Sequence, residues 1–354
     1  MMEIAIFGSS YGESIVLRIE GPGGQKCGVI DCYAPDLEGG ENPVLKQLAA
    51  WGGTETLDFL IVTHPHEDHL RGAGQLLSSI KKVGFIGWWG GTSPTYATAY
   101  FEQLEQQYAE QFDVLGARSQ SVKSFFDQLE KHLRLETVDK VRDSTDGLPH
   151  PFHTLEPEIP LKIVALSPWL PEQSQYVRRL VSTVEREGSI EEHRIAMNQT
   201  SLGLLIHYGE ARIVLGGDVE QANWDHAFSR GALRDLNGAH FVKIPHHGSR
   251  SGAHPDMWQN RRFVTSSPQR TVAVATRYTL AGTALPDEDV LRDIAKAGCE
   301  VWVVAGNGES ARPRPGARMS DAGVLPYAQV PFIARIDPSG AVQVVKDPAH
   351  RYVS

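Results

Sequence analysis

Short apolar runs broken by glycine, proline and polar clusters set the texture of the first ninety residues. Residues 3–7 and 14–20 are β-rich, and Gly8-Ser9-Ser10-Tyr11-Gly12 between them reads as a hairpin-type connection. Gly28-Val29-Ile30-Asp31 is a further short strand with a carboxylate at its end. Pro43 to Trp51 reads as a helix, with the proline suited to its first turn. Leu57 to Thr63 is an apolar run of strand length, the pattern of a strand buried on both faces.

Helical periodicity takes over from about 95 to 135, as in Tyr100 to Glu105 and Ser124 to Leu129. Residues 143–160, rich in Asp, Pro and His, read as a loop, so about 90–160 forms a helical insertion. Strands return at 161–166, 201–207, 211–216, 240–244, 271–275 and 300–304, with helices near 172–186, 221–229 and 287–297. A last strand pair, 328–336 and 341–345, is joined by the turn signal Pro338-Ser339-Gly340, within a C-terminal extension of about 306–354. Strands alternating with helices predict a layered α/β fold. With no fixed-period repeat or low-complexity linker, residues 1–354 read as one domain.

Composition narrows the function classes. A net charge of −9 argues against gripping nucleic acid by bulk charge. Lys243, Arg250, Arg261, Arg262 and Arg277 still leave room for a local basic rim. No apolar run approaches the roughly 20 residues needed to span a bilayer, so no membrane role is expected. The first residues enter a strand at once without a signal-peptide pattern, and three cysteines without CxxC spacing fit a reducing compartment. The expected location is the cytoplasm.

The chemistry concentrates in Thr63-His64-Pro65-His66-Glu67-Asp68-His69, directly after the strand ending at 62. In an extended chain His64 and His66 fall on one side, and Asp68 and His69 follow where the chain turns into a helix. Three imidazoles and a carboxylate from one short loop suit two adjacent metal ions, with zinc or manganese fitting the nitrogen and oxygen donors.

These residues resemble the HxHxDH signature of the metallo-β-lactamase fold hydrolases. Further segments resemble the ComEC-type branch of that family, which includes a DNA-uptake protein's soluble domain and phosphorylcholine esterase-like phosphodiesterases. They are Gly12-Glu13-Ser14, the strand running into Gly216-Gly217-Asp218, and Val242 to Ser249 with its His246-His247-Gly248-Ser249. The resemblance spans about 1–90 and 196–305 and implies a four-layer αββα sandwich. It implies metal ligands His64, His66, Asp68, His69, Asp218 and His246, with Asp218 bridging two divalent ions, and catalytic roles for Asp68 and His247. His246 is taken as the ligand because it comes first after the strand; His247 is then free to protonate a leaving group. Asn198 stands where many relatives supply a third histidine, and Arg277 is a further candidate for substrate contact. Gly282-Thr283-Ala284-Leu285-Pro286 lacks the histidine of the branch's Gly-His-Pro, and Glu13 replaces its usual Asp.

The implied reaction is hydrolysis of a small-molecule or nucleic-acid phosphodiester by water whose pKa coordination lowers towards about 7. Two alternatives remain open: an ester, thioester, lactone or lactam hydrolase, and a non-catalytic metal-binding scaffold. The insertion, preceded by Trp88 and Trp89, is a candidate lid or docking surface for a protein partner.

Overall fold

A computed structural model of the chain describes residues 1–8, 11–34, 42–53, 55–89, 94–107, 119–143, 151–155, 161–168, 174, 178, 197–229, 233–234, 236–266, 268–280, 283–304, 331–346 and 349–351. The first half runs β1 (Met2–Phe7), β2 (Ser14–Gly21), β3 (Gly24–Ile30), α1 (Pro43–Ala50), β4 (Thr56–Val62), α2 (Glu67–Leu70), α3 (Ala73–Ser79), β5 (Lys82–Trp88), α4 (Pro94–Gln107), α5 (Ser119–Arg134) and β6 (Val138–Asp143). Next come β7 (Pro151–Leu155), β8 (Leu161–Ala165), β9 (Leu204–Tyr208), β10 (Ala211–Leu215), α6 (Gln221–Ser229), β11 (Phe241–Lys243) and α7 (Pro255–Trp258). The chain closes with β12 (Val272–Thr276), β13 (Tyr278–Leu280), β14 (Thr283–Leu285), α8 (Glu288–Lys296), β15 (Glu300–Val304), β16 (Phe332–Ile336), β17 (Val342–Lys346) and β18 (Ala349–Arg351).

Two eight-stranded sheets result, ordered β17-β16-β1-β2-β3-β4-β5-β6 and β18-β15-β12-β11-β10-β9-β8-β7. In each sheet one block of strands is parallel: β3 to β6 in the first, and β10, β11, β12 and β15 in the second. Alternation along the strands builds the layers. Phe59 and Ile61 of β4 face inward with Ile4, Leu17, Ile206, Ile213 and Leu215 between the sheets. Leu60 and Val62 face outward, packing with Leu76, Leu77, Phe101 and Phe125 of the helices over the first sheet. Val214, Val242 and Ala273 do the same beneath Trp224, Phe228, Leu291 and Ile294 over the second. The predicted αββα order of layers is therefore present.

Several elements differ from the expectations. The 143–160 loop contains β7, which begins on a proline and, among the described residues, is an edge strand paired with β8, where its missing N–H costs the sheet little. β5 and β6 have no counterpart in the hydropathy reading; β6 is the polar run Val-Asp-Lys-Val-Arg-Asp at the other sheet's edge. From the insertion, α5 packs on α3 and α4 packs on α5, which places both in the outer helical layer. Trp89 is 1% exposed and meets the rings of Phe125 and Phe126, so it packs inward. The helix expected at 172–186 lies outside the described residues apart from 174 and 178. In the C-terminal extension, β16 pairs with β1 and β18 with β15, so these strands extend the two sheets. Among the described residues no helix is long and apolar enough to cross a membrane.

Candidate metal centre

The chemistry-bearing side chains collect at the C-terminal ends of the parallel strands in both sheets, the edge at which α/β sheets hold ligands. β3 grips the end of β4: Asp31 N donates to Ile61 O, and Thr63 N donates to Asp31 Oδ1 at 2.7 Å. The main chain of α2 is held from two sides, by Glu13 N on Asp68 O (2.7 Å) and Cys32 N on His69 O (2.8 Å). His64 to His69 are thus fixed by neighbouring strands before any ligand arrives.

Asp218 follows β10 through two glycines. Gly217 has φ +51°, and a Cβ there would lie 2.6 Å from Leu202 O, so the carboxylate reaches the centre only through this bare, left-handed residue. Ser201 Oγ accepts from Asp218 N at 2.9 Å. His246 and His247 both take left-handed backbone angles, φ 48° and 53°, which non-glycine residues adopt at a cost. The kink sends the two adjacent rings to different places.

The resulting geometry has two lobes. Asp218 Oδ2 lies 3.6 Å from His64 Nε2 and 3.7 Å from His246 Nε2, and His64 Nε2 is 3.1 Å from His66 Nδ1. Asp218 Oδ1 lies 3.4 Å from His69 Nε2 and 3.8 Å from His247 Nε2. Asp68 Oδ2 completes this second lobe, 3.1 Å from His247 Nε2 and 3.5 Å from His69 Nε2. Within each of two groups, His64, His66 and Asp218, and Asp68, His69, Asp218 and His247, the potential ligand atoms lie within 4.8 Å of one another.

Hydrogen bonds behind the rings decide which nitrogen carries the proton. Thr63 Oγ1 donates to Asp31 Oδ2 (2.8 Å), leaving its oxygen to accept from His64 Nδ1 at 3.0 Å. Asp31 Oδ2 also takes the Nδ1 proton of His69 at 2.7 Å. Thr276 Oγ1 donates to Glu13 Oε2 (2.6 Å) and therefore accepts from His247 Nδ1 at 2.8 Å. In their neutral forms all three rings present an open Nε2 to the carboxylates, the tautomer that metal-binding imidazoles use.

The protonation equilibria are strongly perturbed. Burial, reinforced by the charge of His69, pushes His64 well below the usual imidazole value. Burial takes His66 down to about 4. His69 goes the other way: burial opposes its charge, but Asp68, Asp218 and Asp31 together hold it well above its usual value. Burial also opposes the charge of Asp218, yet His246, His69 and His247 keep it well below the carboxylate range. Among the described residues, His69 Nε2 and Asp218 Oδ1 are buried without a hydrogen bond. Carboxylates, open imidazole nitrogens and these orphaned atoms, facing one another inside the molecule, fit divalent cations.

Several placements depart from the sequence reading. His247, 1% exposed, is the histidine of the pair that sits beside Asp68 and His69, although the sequence reading takes His246 as the ligand. His246 instead sits beside the His64 lobe with its side chain 19% exposed. Asn198 donates at 3.3 Å to Glu220 Oε1, the oxygen that lies 3.7 Å from His246 Nδ1, and among the described residues its own Oδ1 is buried without a partner. Arg277 is half-buried at the end of β12, next to Tyr278, whose ring lies 5.1 Å from His247. The residues that left room for a basic rim are dispersed: Lys243 is fully buried, Arg250 pairs with Asp287 and Asp289, and Arg261 and Arg262 donate to main-chain carbonyls. Asp31, Thr63, Glu13 and Thr276 were not assigned site roles. A carboxylate at the end of a buried strand was the available signal for Asp31, and its positive φ of 57° confirms a special position.

Residues 50–223 match the family model of the metallo-beta-lactamase superfamily, whose members are mostly metal-dependent hydrolases. Solved structures similar in fold include the metallo-beta-lactamase fold protein YhfI from Bacillus subtilis, 14% identical over 86% of this chain and 96% of that one, with a TM-score of 0.42. A diphosphatase from the PhnP family is 8% identical over 94% of this chain and 96% of its own, with a TM-score of 0.37. The hydrolase AbOPH of the beta lactamase superfamily is 13% identical over 58% of this chain and 55% of its own, with a TM-score of 0.32. No curated protein sequence matches the chain.

Proposed function

We propose that the chain is a metal-dependent hydrolase that uses two divalent cations, zinc or manganese, to cleave a phosphodiester. The observation that carries this reading is the placement of Asp218, whose Oδ2 faces His64 and His246 while its Oδ1 faces His69 and His247. His64, His66 and His246 with one Asp218 oxygen would hold one cation; Asp68, His69 and His247 with the other would hold its neighbour. When bound, such a pair supplies Lewis acidity towards phosphoryl oxygens and a nucleophile from water at neutral pH.

The protein's part is orientation. Asp31 and Thr63 keep His69 and His64 in the open-Nε2 tautomer. His247 carries its neutral-form proton on Nδ1 against Thr276, so it serves as a ligand rather than as the acid for the leaving group. His246, partly exposed, has Nδ1 3.1 Å from Ser251 Oγ and 3.7 Å from Glu220 Oε1, which turns its Nε2 towards Asp218. Similarity of the His246 to Ser249 segment to the ComEC-type branch supports phosphorus over a carbonyl carbon. The dispersal of the basic residues supports a small phosphodiester over a long nucleic acid.

Elemental analysis combined with an assay on metal-reconstituted protein tests this. Turnover of an aryl phosphodiester well above that of an aryl thioester is expected. Thioester turnover alone would overturn the choice of phosphorus, and full activity in Asp68→Ala would overturn the site.

A further inference from the structure

Lys243 stands in the apolar strand β11 and is fully buried. Its Nζ meets Glu13 Oε2 at 2.7 Å and Ile244 O at 3.1 Å, and Glu13 is itself 1% exposed. A lysine–carboxylate pair this deep adds little net stability over apolar packing, so its presence calls for another role. Glu13 Oε2 also accepts from Thr276 Oγ1, and that hydroxyl lies against His247 Nδ1. Three elements meet in this line: the start of β2, the end of β11 and the end of β12. The main chain of Glu13 meanwhile holds Asp68 O.

We propose that Glu13 and Lys243 are positioning residues for His247, acting through Thr276. Lys243 keeps Glu13 a carboxylate. Glu13 takes the single hydroxyl proton of Thr276. The Thr276 oxygen is then an acceptor only, so His247 keeps its neutral-form proton on Nδ1, and Nε2, 3.1 Å from Asp68 Oδ2, is the nitrogen left for a cation. With a neutral residue at 13 or 243 the hydroxyl is free to rotate and donate to Nδ1, and the His247 proton moves to the nitrogen that faces the carboxylates. His69 is held more directly, by Asp31 itself. His247 needs the longer line because Glu13 stands 3.5 Å from its Nδ1, beyond a good hydrogen bond.

This inference rests on reading Asp68, His69, Asp218 and His247 as ligands of one cation. Its test is cobalt(II) binding to the full chain, followed by visible absorption and chelator competition. Thr276→Val preserves the shape of the side chain and removes the hydroxyl. It is expected to leave one cobalt ion bound as in the wild type and to weaken the other by roughly 10–100-fold, with Thr276→Ser restoring it. Lys243→Met, if it folds, is expected to weaken the same ion. Two ions bound by Thr276→Val with wild-type affinity would overturn the relay while leaving the metal centre standing. A wild-type protein that binds no cobalt would overturn both.

Discussion

Asp218 carries the centre at the scale of single residues, because each of its oxygens serves a different lobe. Asp218→Ala is expected to lose both cations and to reduce turnover by more than the roughly 10–100-fold typical of outer hydrogen-bond partners. Asp31→Ala, which frees His69 Nδ1 and Thr63, is expected to fall within that range for metal affinity, measured by calorimetric titration. His247→Ala should remove the cation of the Asp68 lobe, whereas His246→Ala should spare it. That difference was not legible in the sequence. Two adjacent histidines are equivalent until the backbone is known, and only the left-handed kink at both separates their rings. The loop from His64 to His69 was legible because its donors are contiguous. Asp31, Thr63, Glu13 and Thr276 act through hydrogen bonds between distant segments, which no spacing rule registers.

At the scale of elements, patterning worked where one face is clearly apolar. The helix read over 221–229 is α6, and that read over 287–297 is α8, started by Asp287, whose side chain accepts from Asp289 N. It failed at sheet edges, where β6 and β7 carry charges, proline and histidine. The turn after β10 shows an element bending to chemistry. Gly217→Ala would place a Cβ in the left-handed region against Leu202 O. A loss of about 1–3 kcal/mol or more in urea unfolding is expected, with weaker metal binding as Asp218 shifts. Lys243→Ala leaves Glu13 buried without its cation, and a cost of about 3–5 kcal/mol is expected in the same measurement.

At the scale of the molecule, the two sheets exist as a pair because their apolar inner faces cover each other, and their parallel blocks bring residues 13 to 276 to one edge. Stability should therefore follow the centre's protonation. In metal-free protein the folded state resists protonating His64 and His66, so stability is lost as pH falls below the ordinary imidazole value of about 6.5, until His66 itself titrates near 4. His69, whose charged form is favoured by three carboxylates against burial, contributes stability that is complete below about 6.5 and lost as pH rises through its elevated value. Metal-free melting temperatures should peak near the imidazole range and fall on both sides; a plateau continuing upward into alkaline pH would show that His69 is not so held. Added cation should raise the melting point, by about 2.7 kcal/mol of stability at a hundred times its dissociation constant.

Metal content at saturation tests the two-lobed centre most directly. Metal-free protein titrated with zinc or manganese, exchanged into metal-free buffer and analysed by mass spectrometry should hold two equivalents per chain, and Asp218→Ala should hold neither tightly. A saturated wild type holding one equivalent or none, or an Asp218→Ala protein still holding two, would contradict the assignment.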